Sequence, residues 1–120
     1  MRNLNKEVFE VLRTDPLIQN ELNGEFIYQF VKGNDNTPIW ITFSELNSSP
    51  GVYAENEEKT TKVMYQVDIW AMSPIKMQLK NAVQAAMKKL SFQRVSTFPN
   101  YEMDTKIYRY GFRFLTEIMN

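Results

Sequence analysis

The chain has 120 residues, which is enough for one domain around one hydrophobic core and too few for a two-domain enzyme. Its composition, 43% hydrophobic and 23% charged, is typical of a globular protein that folds. The sequence has no Cys and no His, which excludes disulfides, zinc sites built from thiolates or imidazoles, and catalytic triads that need either residue.

The total charge is balanced, with fourteen basic and fourteen acidic residues, but the two signs are unevenly distributed. Residues 1–60 have five basic and ten acidic residues, a net charge of −5, whereas residues 61–120 have nine and four, a net charge of +5. Either this difference evens out over the folded surface, or the subunit is dipolar and attracts copies of itself head to tail. The balanced total does not suggest specific nucleic-acid binding.

No apolar stretch reaches the roughly 18 residues of a membrane span. The first residues also lack the apolar segment of a secretion signal, so we expect synthesis and function inside a cell, away from membranes.

The first quarter of the chain predicts two helices. Apolar residues recur at helical spacing over residues 3–14, at Leu4, Val8, Val11 and Leu12. Asp15-Pro16 is typical of a helix start, and Asn23-Gly24 of a helix end, so a short second helix is expected up to Leu22.

Three strands and a loop are predicted next. Residues 25–31 and 62–72 alternate with a period of two, and residues 39–46 are rich in β-branched and aromatic side chains. The stretch between the last two, residues 47–61, combines turn formers with acids. We expect it to be a loop without regular structure that becomes ordered only in contact with a neighbour.

The remaining chain predicts a helix and a hairpin. Ser73-Pro74 resembles a helix start, and an apolar stripe with helical spacing follows as far as Leu90. Residues 92–98 and 107–118 then predict two strands joined by a turn. We therefore expect a single α+β domain spanning residues 1–120, with an antiparallel or mixed sheet of about four to five strands and two main helices on one face.

Few residues suggest chemistry. Glu55, Glu57 and Glu58 lack the alternating oxygen ligands and central Gly of a calcium loop, and the four glycines form no nucleotide-binding pattern, so no metal or cofactor is expected. Asp68 lies in mid-strand among apolar residues and is a candidate catalytic carboxylate, with Glu45 or Glu117 as its partner. Strand alternation places Asp68 opposite Val67 and Ile69, which favours an exposed, structural residue.

Aromatic residues suggest binding surfaces. Tyr108, Tyr110, Phe112 and Phe114 alternate with Arg109 and Arg113, a pattern that also occurs in stacking platforms for single-stranded nucleic acid. Because arginines in a strand point away from such a ring face, packing under the helices is the favoured interpretation.

The outward face of residues 62–72 is rich in large apolar groups. Met64, Trp70 and Met72 share this face, which we interpret as a candidate interface with another subunit.

Several segments together resemble the tail-completion or tail-terminator proteins of long-tailed bacteriophages and their prophages. The most distinctive is the strand Tyr65-Gln66-Val67-Asp68-Ile69-Trp70-Ala71, which leads into Ser73-Pro74 and a helix. The others are Asp15-Pro16-Leu17-Ile18, Phe26-Ile27-Tyr28, the Thr37 to Phe43 run and the Tyr108 to Phe114 strand. The resemblance covers nearly the whole chain.

The resemblance implies a non-enzymatic virion assembly protein. Such a subunit would form a homo-oligomeric, hexameric ring, cap the tail tube, and join the tail to the head completion or connector protein. It would be made in the bacterial host cytoplasm and end up in the virion at the head–tail junction. Its partners would be copies of itself, the tail-tube protein and the connector.

The charge split adds a hypothesis about the ring. We expect the loop acids Glu55, Glu57 and Glu58 to meet basic side chains of a neighbouring subunit, namely Lys76, Lys80 or Lys88. Two alternatives from other classes remain: a monomeric module that binds peptides or nucleic acid, and a carboxylate-dependent hydrolase.

Overall fold

The computed structural model describes residues 3–120, and its first two helices follow the predicted boundaries closely. Helix α1 spans Leu4–Arg13, and its N-cap Asn3 accepts a hydrogen bond from the amide of Lys6. Helix α2 spans Pro16–Leu22, where Oδ1 of Asp15 accepts hydrogen bonds from two backbone amides. These caps satisfy amides that a helix leaves without partners.

Within the described residues 3–120, seven strands form two sheets. In chain order they are β1 (Ile27–Gln29), β2 (Ile39–Pro50), β3 (Tyr53–Ala54), β4 (Glu57–Glu58), β5 (Thr60–Ala71), β6 (Gln93–Glu102) and β7 (Ile107–Met119), with helix α3 (Met77–Lys88) between β5 and β6. The main sheet has the order β1-β2-β5-β7-β6, and β3 pairs with β4 alone. β1 runs parallel to β2 and the other neighbours are antiparallel, so the α+β fold with a mixed sheet is confirmed.

The prediction of an unstructured loop at residues 47–61 was wrong. β2 continues to Pro50 and β5 starts at Thr60, and the two strands pair up to Pro50 and Thr61. β3 and β4 close this long hairpin around Glu55 and Asn56, which both have positive φ, the geometry of a tight two-residue hairpin turn. The backbone is thus paired within the chain and needs no neighbour to form regular structure.

Other boundaries also differ from the sequence prediction, and β1 is shorter than the predicted strand at residues 25–31. Ser73 and Pro74 precede α3 without starting it, since the helix begins at Met77 after Lys76, whose side chain makes no capping hydrogen bond. β6 continues through Pro99 to Glu102, so the turn to β7 is shorter than expected.

The core lies between the three helices and one face of the main sheet. β5 contributes Val63, Tyr65, Val67 and Ile69 to this face, and all four are buried. The hydroxyl of Tyr65 donates to Oδ1 of Asn5 at 2.6 Å, and burial raises the pKa of Tyr65 to about 12, with a further contribution from the nearby carboxylates of Glu45 and Glu7.

The helical and strand patterns of the sequence predict twelve core residues, and the structure confirms all of them but Leu90. Leu90 is only partly buried and packs against the edge of the core. The other eleven are buried: Leu4, Val8, Leu12, Ile41, Phe43, Val67, Ile69, Leu79, Val83, Phe112 and Phe114. No helix among residues 3–120 has the length and apolar character needed to span a bilayer.

Truncation of the core should measure this packing. Val67 and Leu79 are 0% and 2% exposed, so Val67→Ala and Leu79→Ala should each lower the free energy of unfolding by about 2 to 4 kcal/mol through the cavity that they create. Val95→Ala and Leu17→Ala are matched controls, because these side chains are 53% and 63% exposed, and should change stability little. Denaturant titration measures all four; equal effects in core and control variants would contradict the assigned faces.

Candidate functional site

The face of the main sheet opposite the helices is the main candidate surface, and we call it the open face. Strand pairing brings side chains of β2, β5 and β7 into rows across it. Four of these rows are Trp40–Trp70–Arg109, Thr42–Asp68–Gly111, Ser44–Gln66–Arg113 and Asn47–Met64–Leu115.

A partly buried ion pair between Asp68 and Arg109 lies at the centre of the open face. Asp68 is only 7% exposed, and its two carboxylate oxygens accept hydrogen bonds from Nε and Nη2 of Arg109, both at 3.2 Å. The side-chain amide of Gln66 donates to the same carboxylate. Gly111 leaves room for it, because a Cβ at this position would lie 2.5 Å from Oδ1 of Asp68. The expectation that Asp68 is exposed was therefore wrong, since partners on neighbouring strands cover it.

The arrangement around Asp68 is structural in character. Both oxygens of the Asp68 carboxylate accept hydrogen bonds from a guanidinium and from an amide, and these donors hold the carboxylate in place. Glu117 lies six residues beyond Gly111 on β7, about 20 Å along the strand, and its carboxylate accepts from the hydroxyl of Thr60. Glu45 pairs with Tyr65, whose side chain lies on the helix side. The structure therefore does not bring Asp68 together with either of its proposed catalytic partners.

A row of stacked cations and rings borders this ion pair. The rings of Trp40 and Trp70 are parallel within 7°, with centroids 6.3 Å apart. The ammonium of Lys32 lies 5.2 Å from the Trp40 ring and the guanidinium of Arg109 lies 4.8 Å from the Trp70 ring. The indole nitrogen of Trp70 donates to Thr42 at 2.9 Å. Trp70 is thus partly buried by its own chain, while Met72, next to it, is 59% exposed.

The rings and arginines of β7 lie on opposite sides of the sheet, as the alternation predicted. Phe112 and Phe114 are buried in the core, whereas Arg109 and Arg113 lie on the open face. There the arginines contact rings of other strands: Arg113 stacks over Phe98 of β6 at 4.7 Å. Sequence reasoning missed these cation–π pairs because they join residues that are distant along the chain.

The acidic residues of the β3–β4 hairpin form a second candidate surface, which we call the tip. Glu55, Glu57 and Glu58 are exposed there, and Glu57 pairs with Lys59 at 2.9 Å. The end of the chain fixes the tip, because the backbone and side chain of Asn120 donate to the carbonyl oxygens of Lys59 and Glu58. Among residues 3–120, no group of three or more acidic side chains is placed to hold a metal ion.

The three lysines proposed as partners of these acids lie away from them. Lys76 follows β5, whose twelve residues span about 40 Å, at the end opposite the tip. It is 3.7 Å from Glu21, while Lys80 lies over the Tyr110 ring at 4.4 Å. Lys88 is exposed at the end of α3. Within residues 3–120 no salt bridge joins Lys76, Lys80 or Lys88 to the tip acids, so the predicted pairing would join two copies of the chain.

Comparison with known proteins gives two results. The family model described as Tail completion protein gp17 matches residues 6–116. A chain in the solved structure of the virion of a native gene transfer agent particle has a similar fold, with a TM-score of 0.72 over 98% of this chain and 95% of that chain, at 12% sequence identity. Among curated proteins, none gives a significant match.

The family match covers both helical and sheet regions, including the tip, the open face and the whole of β5. It therefore confirms the resemblance drawn from the sequence. This chain belongs to the tail completion protein gp17 family and is a structural protein of the phage tail.

Proposed function

We propose that this chain completes the phage tail by forming a hexameric ring on the finished tail tube and joining it to the head completion or connector protein. The observation that carries the proposal is the family match over residues 6–116. The absence of a carboxylate pair around Asp68 favours this assembly role over the hydrolase alternative. In this proposal the protein is made in the bacterial host cytoplasm and ends up at the head–tail junction of the virion.

Self-association has physical support in the distribution of charge. The tip is acidic and lies at one end of a molecule that is 52 Å long and 28 Å wide. Apart from Lys59, which pairs with Glu57, the lysines described above lie outside the tip, so acids of one copy and lysines of the next attract each other when copies are arranged head to tail. A heterologous contact of this kind closes into a ring when its rotation permits.

The open face is the proposed contact with another subunit or with the tail-tube protein. Helices cover only one side of the sheet, and Met64, Trp70 and Met72 present apolar groups on the other side. Trp70 and Met64 are partly shielded by their own chain, so the most accessible anchor is Met72.

The function is tested with tails from a phage whose gene for this protein is disrupted. Adding the purified chain to such tails and to filled heads should restore joined particles, and electron microscopy should show a ring at the head-proximal end of each tail. Tails that join heads equally well without the chain, or a chain that remains absent from the tail end, would contradict the proposal.

A charge on the open face should block assembly. Met72→Glu should reduce ring formation on tails while leaving the melting temperature nearly unchanged, because the side chain is already 59% exposed. Trp70→Ala should also reduce assembly, with some loss of stability from the broken stack with Trp40. Met103→Glu, at an 80% exposed position on the β6–β7 turn, is the matched control. If Met72→Glu assembles normally, the proposal that the open face is part of the interface is wrong.

Charge reversal at the tip should act on the rate of assembly. Replacing Glu55, Glu57 and Glu58 by Lys should slow ring formation at low salt and less so at high salt, because exposed charge pairs are screened. The melting temperature should change little, since such pairs add about 0 to 1 kcal/mol. Reversal of Glu102 and Asp104, at the other end of the sheet, is the control. A rate indifferent to both reversal and salt would exclude an electrostatic role for the tip.

A further inference from the structure

The main sheet ends in two edges that lack a partner strand within residues 3–120. β6 is the last strand on one side, and most of its residues are exposed. On the other side β1 covers β2 only over Ile41–Phe43, and from Glu45 to Pro50 every β2 residue is exposed. Such edges offer rows of backbone N–H and C=O groups to another strand.

A bulge with an exposed apolar residue marks each edge. Leu46 is the extra residue in β2 between Glu45 and Asn47, and Val95 is the extra residue in β6 between Arg94 and Ser96. These side chains are 42% and 53% exposed. They are the kind of large apolar groups that a second strand would cover.

The two edges carry opposite charge. Residues 33–58, which include β2 and the tip, contain five acidic residues and no basic residue. Residues 73–101, which include α3 and most of β6, contain five basic residues and no acidic residue. The edge segments themselves contribute one charge each, Glu45 on β2 and Arg94 on β6, and the acidic and basic stretches around them add to the attraction between the edges of two copies.

We propose that the Gln93–Phe98 segment of β6 pairs with the Ser44–Pro50 segment of β2 in the next copy of this chain, as an antiparallel ladder. The antiparallel direction of this ladder follows from the strand directions within one chain. β2 and β7 run one way and β5 and β6 run the other way, so β6 is antiparallel to β2. If the second copy is related to the first by rotation about an axis parallel to the strands, its strands keep the same directions. β6 of one copy is then antiparallel to β2 of the next. The inference rests on the proposed self-association and names its interface.

The chain sets the length of the ladder. Pro99 has no N–H to donate, so pairing ends at Phe98, and β1 blocks β2 as far as Phe43. Both available segments are about 20 Å long. The neighbour must shift along the strands to avoid β1, and such a stagger is what closing a sheet into a ring requires.

The antiparallel direction also predicts which lysines meet the tip. In this ladder Gln93, the first residue of β6, lies near Pro50 of the neighbouring copy. The residues that precede Gln93 therefore lie close to the neighbour's tip. Lys88 and Lys89 of one copy therefore approach Glu57 and Glu58 of the next. Lys76 lies at the far end of the sheet and takes no part in this contact.

Disulfide trapping tests the interface directly, because the natural chain has no Cys. Ser48→Cys and Val95→Cys, which face each other when Gln93 lies opposite Pro50, should give a covalent dimer when the two single variants are mixed and oxidised, and no dimer when either is oxidised alone. Leu46→Cys covers a register shifted by two residues. Leu17→Cys mixed with Val95→Cys is the control for random collision, since Leu17 is 63% exposed on α2.

The outcomes separate this inference from the proposed function. If neither β2 variant links to Val95→Cys faster than the control does, edge pairing is wrong, even where electron microscopy shows rings on tails. If either single variant alone links as fast as the mixture, the contact is symmetric and the head-to-tail arrangement is wrong. If the edges link but the chain never joins tails to heads, edge pairing stands and the tail-completion role fails.

Discussion

The structure depends on the pairing of β5, whose twelve residues all pair with β7 and nearly all with β2. This strand lies at the centre of the sheet, and its side chains alternate between two different environments. Val67 and Ile69 are fully buried under the helices, while Asp68 and Trp70 lie on the open face. One strand thereby fixes the hydrophobic core on one side and the polar network of the sheet on the other.

The open face shows how a charged group is kept within a sheet. Asp68 loses most of its contact with water, and Arg109 and Gln66 replace that water with donors on both carboxylate oxygens. Arg109 in turn stacks on Trp70, so charge, ring and hydrogen bonds form one connected network. A network of this kind fixes the register of β5 against β7 and makes the open face rigid enough to serve as a contact surface.

The sequence predicts the parts of the fold that depend on local periodicity, and it fails where distant strands decide the structure. The helical stripe of α1 and the alternation of β5 are each contained in about a dozen residues. The extended hairpin at residues 47–61 is polar and has no alternation, so only its pairing with β5 identifies it as strand. Asp68 is similar: alternation gave the correct face, but Arg109, 41 residues away, determines its burial. For the candidate interface, the sequence indicates which apolar and charged residues are available for contact. It does not indicate the unpaired sheet edges, because the pattern of one sequence does not show which strands are neighbours.

The surfaces that the sheet leaves uncovered are the proposed contacts of this tail protein. An acidic stretch of the chain includes the β2 edge and a basic stretch includes most of the β6 edge, and both edges lack a partner strand within residues 3–120. Amide hydrogen exchange of the free subunit and of the same subunit on assembled tails tests this most directly. Amides of Gln93–Phe98 and of Ser44–Ser49 should both gain protection on assembly, while Pro50 has no amide hydrogen to report. Protection confined to other parts of the chain, with both edges exchanging as in the free subunit, would contradict it.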